Sequence, residues 1–274
     1  MKKFIRSALA SAIVSTAVVA GSAQASAITG GDALNQASAD SILDIVFVID
    51  TSSSMWDDIT AIGTVAQQAV QNLSCPEIDC YIRARFMGIT GTRGTVFNET
   101  VSSYVLALPA TPLSNSSEDN GPAVIDLINH YAWNNDAVGD QKYYKAVVTI
   151  GDEGTEQGAP VNQADYDVAY AANQLAISTG TLLIGWVTDD PSAGVTQLFD
   201  TMATGGSLGG YAFGDTGGGY IQTVNGSDIQ RTLEEILCFA ASGGTTNQDL
   251  PEPGSLALLG LGLAGLGAAR RARK

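Results

Sequence analysis

The sequence predicts an α/β fold: a doubly wound, mostly parallel six-stranded sheet with helices on both faces. Three observations predict it. Runs such as Ile45-Val46-Phe47-Val48-Ile49 are apolar at every position instead of alternating, as strands buried on both faces are. Between these runs lie longer stretches whose apolar residues recur at helical spacing. The two kinds of segment alternate along the chain, and such alternation builds a parallel sheet covered on both sides.

Taken in order, the first strand is Ile45 to Ile49. A helix follows from Asp57 to Leu73, with Ile59, Ile62, Val65, Ala66, Ala69, Val70 and Leu73 at helix-compatible spacing. Tyr81 to Ile89 reads as a strand, and Thr95 to Tyr104 as a second, more polar one. Ala123 to Trp133 is a helix with Val124, Leu127, Ile128 and Tyr131 on one face, and Ala146 to Ile150 is again a buried strand. Then come a helix over Gln163 to Thr179, a strand over Leu182 to Val187 and a helix over Val195 to Ala203. Tyr220 to Val224 is the last strand and Asp228 to Phe239 the last helix. The Gly-rich run Thr204 to Gly219 lacks the Lys-Ser/Thr ending of a phosphate loop and reads as a mobile connection.

The two ends of the chain are of another kind. Residues 1–25 have the form of a secretory signal peptide: Lys2, Lys3 and Arg6, then an apolar stretch, then the small-residue site Ala23-Gln24-Ala25. Residues 26–42 read as a loose polar leader, 43–241 as the domain and 242–250 as a linker. Residues 251–274 combine Pro251-Glu252-Pro253, a Gly/Ala/Leu-rich apolar segment and a basic end of Arg270, Arg271, Arg273 and Lys274. The apolar segment is a little short of the ~20 residues of a comfortable membrane-spanning helix. Its basic end favours the cytoplasm, which leaves the domain across the inner membrane.

Of 13 basic residues only six lie outside these ends, against 27 of the 28 acidic ones. So negative a region excludes nucleic acid and anionic lipid as partners. Three cysteines fall in the exported part. Cys75 and Cys80 are the nearest pair for a disulfide, with pairing of either to Cys238 also open, and one thiol is left over in any case. The single histidine, His130, offers neither a zinc-protease motif nor a catalytic triad.

In an open parallel sheet, the binding crevice lies beyond the carboxyl ends of the strands. Directly after the first strand stands Asp50-Thr51-Ser52-Ser53-Ser54, one carboxylate and two hydroxyls at alternating positions. Asp152 follows the strand Ala146 to Ile150. Hard oxygen donors of this kind suit Mg²⁺, Ca²⁺ or Mn²⁺, and two neighbouring carboxylates repel unless a cation neutralises them. The competing reading of the serines is ordinary capping of the following helix.

With these residues the stretch Leu43 to Phe239 resembles the von Willebrand factor A (VWA) family with its metal-ion-dependent adhesion site (MIDAS), a Rossmann-like fold. The resemblance implies Asp50, Ser52 and Ser54 as first-loop ligands and Asp152 as the last-loop acid. It also implies a coordination position open to a partner's carboxylate. Many members carry a threonine in the middle loop. Here Ser116 to Pro122 resembles an acidic variant of it, with Asp119 as first choice of ligand and Glu118 as second. The C-terminal segment resembles the PEP-CTERM sorting signal of Gram-negative bacteria, which implies an exosortase-type processing enzyme and transient inner-membrane anchoring. The expectation is a non-enzymatic surface or exopolysaccharide-matrix protein. It would bind a protein or polysaccharide ligand, one offering a carboxylate, through a divalent cation. A metal-dependent hydrolase and a matrix protein whose metal only stabilises the fold are the alternatives.

Overall fold

The computed structural model describes residues 27–76, 78–92, 99–106, 114, 116–188, 191–224 and 227–244. Its centre is β2 (Ser41–Ile49), nine residues that are all buried. On either side, and parallel to it, run β3 (Cys80–Gly88) and β4 (Lys142–Gly151). Next to β4 lies β5 (Thr181–Val187), followed by β8 (Gly219–Gln222). At the other edge β1 (Ile28–Gly30) runs antiparallel to β3. The order β1-β3-β2-β4-β5-β8 makes a six-stranded, mostly parallel sheet.

The strands are apolar at consecutive positions because each face meets its own helical layer. Ile45, Phe47 and Ile49 of β2, with Val148 and Ile150 of β4, pack with α1 (Trp56–Gln71) and α6 (Ile229–Ala241). Val46, Val48 and Val147 point the other way, into the core with α3 (Asn120–His130), α4 (Gln163–Thr179) and α5 (Val195–Thr204). Local signals agree with the packing. Asn162 caps α4 in a reciprocal box with Asp165, Gly180 ends it in the left-handed region at φ 62°, and Asp228 caps α6 by accepting from the Arg231 N–H.

Three segments differ from the sequence expectation. Within Thr95 to Tyr104, residues 95–98 lie outside the described set, and the chain beyond Thr100 is a short helix, α2 (Val101–Leu106), not a strand. Val101 and Tyr104, three apart, are buried, which is helical spacing. The leader is not loose. β1 sits on the sheet edge, and Gly30 and Gly31 pass so close to the carbonyls of Val70 and Cys80 that no side chain would fit there. The Gly-rich run is not a bare connection either. It folds into a hairpin of β6 (Gly206–Leu208) and β7 (Tyr211–Phe213), whose Tyr211 ring stacks on Tyr170 of α4 at 4.5 Å.

The expected Cys75–Cys80 pairing is also corrected, because the disulfide joins Cys75 to Cys238, with 5.3 Å between their Cα atoms. The reason is tertiary: α1 and α6 pack side by side on one face, which brings Cys238 of α6 against the chain just beyond α1. Cys80 keeps a buried thiol, 3.5 Å from the Cys75 sulfur and 3.5 Å from Asp32 Oδ1. Asp32 accepts the backbone N–H groups of Cys75 and Cys80, both at 3.0 Å, and so pins the start of β3. Burial, together with the Asp32 charge, pushes the Cys80 thiol up to about 12. At pH 8 it is therefore almost wholly protonated and unreactive. Iodoacetamide should leave the native protein unlabelled and mark one of its three cysteines after unfolding without reductant. Mass spectrometry checks the count, and rapid labelling of native protein would contradict the burial.

Candidate metal centre

The parallel register explains why residues about a hundred positions apart meet. Ile49 of β2 pairs with Ile150 of β4, so Asp50 leaves its strand level with Gly151, and Asp152 comes one residue later. The Asp50 N–H donates to the Ile150 carbonyl at 2.9 Å, which holds the two strand ends together. Strand order reverses between β2 and β4, since the chain goes from β2 outward to β3 and then returns across β2. A crevice beyond the carboxyl ends is expected at such a point.

Within the first loop, Asp50 Oδ1 accepts the Ser52 N–H at 2.6 Å. Ser52 Oγ lies 2.8 Å from Ser54 Oγ, and Ser54 Oγ donates to Asp152 Oδ1 at 3.3 Å. Four of the five predicted site residues are thus linked, three through side-chain oxygens and Asp50 through the Ser52 backbone N–H. The serines do not cap the following helix: α1 has Met55 at its N-cap and no side-chain capping bond there.

Asp119 is brought to the same end of the sheet but is used differently. It is buried, and its two carboxylate oxygens accept the backbone N–H groups of Ser116 at 2.6 Å and Gln157 at 3.1 Å. Those bonds tie the middle loop to the loop after β4. The acid of that loop whose charge acts on Asp50 is Glu118, the second choice from sequence, which in turn feels the charge of Asp152. Glu118 and Glu153 both crowd the space beside Gly158, where φ is 83° and an added Cβ would strike their carboxylates.

The electrostatics follow from burial. Asp50 has no exposed surface, and its Oδ2 has no hydrogen-bond partner. Burial, with the Asp152 and Glu118 charges adding to it, pushes its carboxyl up to about 7, against the hydrogen bonds from Ser52. Asp152 is raised by burial, opposed by the Ser54 hydroxyl. Glu118 is raised by burial and then by the charge of Glu153. Among the described residues the ion pairs are those of Arg83 with Asp44 and Asp136, Arg85 with Glu99, and Arg231 with Glu235, and none reaches this cluster. Nor, among the described residues, do three His, Cys, Asp or Glu side chains come together in a group that could hold a metal ion.

Asn120, the first residue of α3, escaped the sequence reading. It is fully buried, and both ends of its amide are without hydrogen-bond partners. An uncharged side chain between Asp119 and Gly121 carries no pattern that separates it from an ordinary helix-start asparagine.

Residues 249–274 match the PEP-CTERM protein-sorting motif. The motif marks an exported protein, processed by an exosortase and sorted to the cell surface. Pro251, Glu252, Pro253 and the apolar segment lie outside the described residues, as do Asp189 and Asp190. Among the described residues no helix is long and apolar enough to cross a membrane. No curated protein matches the chain in sequence. Among solved structures the chain is similar to proximal thread matrix protein 1 from the mussel byssus, at 11% identity and a TM-score of 0.38 over 73% of this chain. It spans 46% of that protein's chain.

Proposed function

We propose that this exported protein is a VWA-type binding protein of the cell surface or its matrix. Asp50, Ser52, Ser54 and Asp152 would hold a divalent cation and through it an acidic group of a partner. One observation carries the reading: a run of side-chain oxygens from Ser52 through Ser54 to Asp152 at the carboxyl ends of adjacent central strands, beside the buried Asp50 carboxylate, whose Oδ2 has no partner. The donors fit the ion. Carboxylates and hydroxyls without nitrogen or sulfur suit Mg²⁺, Ca²⁺ or Mn²⁺, and a buried, crowded acid with no cationic side chain paired to it among the described residues gains most from a bound cation. When bound, the ion supplies positive charge that a partner's carboxylate can complete. Ser54 is exposed, and Trp56, 53% exposed just beyond it, offers an aromatic surface beside the same opening. The chain's one histidine sits at the far end of α3, roughly 15 Å along the helix axis, which favours binding over hydrolysis.

Calorimetric titration with Mg²⁺, Ca²⁺ and Mn²⁺ tests the reading. Wild type should give a one-site isotherm, and Asp50→Ala should weaken it by more than about 100-fold, since even residues behind the ligands cost roughly 10–100-fold. Capture of a carboxylated polymer should then be lost in chelator. A wild type indifferent to all three ions would sink the reading.

A further inference from the structure

Asn120 is a buried group that the fold does not explain. Its side chain has no exposed surface, and neither Nδ2 nor Oδ1 has a hydrogen-bond partner. Such an amide weighs against folding unless something satisfies it. Helix capping is not its task, because the N-cap of α3 is Asp119 and the Asn120 backbone N–H already donates to the Glu118 carbonyl at 2.9 Å. Its position is the informative feature. A Cβ built on Gly151 would lie 2.9 Å from Asn120 Nδ2 and 3.6 Å from Asp50 Oδ2, the other buried orphan of the site. The two orphans therefore line one small space, and that space exists because residue 151 has no side chain.

A cation by itself would satisfy Oδ1 and leave the N–H groups bare, whereas a carboxylate by itself would do the reverse. Both ends are served if the amide spans from Asp50 to a water carried by the ion. We propose that Asn120 is a positioning residue of the cation site, its Nδ2 donating to Asp50 Oδ2 and its Oδ1 accepting from a cation-bound water. This rests on the cation reading above. It gives the site a preference, because Mg²⁺ keeps several of its waters while Ca²⁺ exchanges them readily for protein oxygens.

The test titrates the purified full chain with Mg²⁺ and Ca²⁺ and melts it in chelator, comparing wild type with Asn120→Ala and with the similar-sized Asn120→Leu. The proposal expects Mg²⁺ binding to weaken by roughly 10–100-fold in both variants, with a smaller loss for Ca²⁺. Because the Asn120 amide forms its bonds only with the ion in place, Asn120→Leu in chelator should melt no lower than wild type. Unchanged Mg²⁺ affinity in a folded Asn120→Leu protein would overturn the proposal and leave the cation site standing. A lowered melting point in chelator with unchanged affinity would overturn it too, assigning Asn120 to the fold. If wild type binds neither ion, the cation reading falls and this one with it.

Discussion

A double Cys75→Ala/Cys238→Ala variant should lose about 5 kcal/mol of stability, the entropy of a closed loop whose ends are 163 residues apart. The bond spans most of the domain, from the end of α1 to the last helix, so its removal frees α6 over nearly the whole chain. The apolar face of α6, with Leu233, Ile236, Leu237 and Ala240 buried, would then have to hold the helix in place alone. For a domain of this size the change corresponds to a fall in melting temperature of roughly 10–20 °C. Both partners are replaced together because Cys80 lies 3.5 Å from Cys75 and would offer a substitute pairing to a single variant. Calorimetry without reductant measures the difference, and equal melting of variant and wild type would show that α6 does not depend on the bond.

Asp50 should make the cation-free protein less stable as the pH rises. Its carboxyl is raised from 3.8 to about 7 in the folded chain, so between those values the native state holds a proton that the unfolded state has released. The contribution is complete below about pH 4 and is lost as the pH climbs through about 7. That difference corresponds to about 4 kcal/mol, or roughly 10 °C in melting temperature. Asp50→Asn, which keeps the shape and removes the charge, should flatten this dependence and melt above wild type at pH 8 in chelator. A divalent cation should restore wild type at pH 8 and leave the variant where it was, because the ion needs the ionised carboxylate. If wild type and Asp50→Asn show the same pH profile in chelator, the burial of that charge is not what the geometry indicates.

Much of the architecture was legible in the sequence because burial on two faces leaves a one-dimensional trace. Ile45 to Ile49, Ala146 to Ile150 and Leu182 to Val187 are apolar at every position but Thr149, and only a strand between two helical layers needs that. The same trace pointed to the candidate site, since Asp50 and Asp152 follow such runs and parallel strands end on one side. Short segments were harder. Val101 to Tyr104 is too brief for its periodicity to separate helix from strand. Ile28 to Gly30 and the Gly-rich hairpin are held by contacts with Val70, Cys80 and Tyr170 that no local pattern announces.

By itself, then, the sequence determined the long strands and helices of the parallel sheet, the sorting segment, and the proposed donors Asp50, Ser52, Ser54 and Asp152. All of these depend on residue type and near-neighbour spacing. Only the tertiary structure decided which cysteine Cys75 meets, that Asp119 spends its carboxylate on backbone N–H groups while Glu118 acts on the crevice, and that Asn120 is stranded beside Asp50. Each of those depends on distances between segments far apart in the chain, set by how helices pack across the sheet and by how little room Gly151 and its neighbours take up.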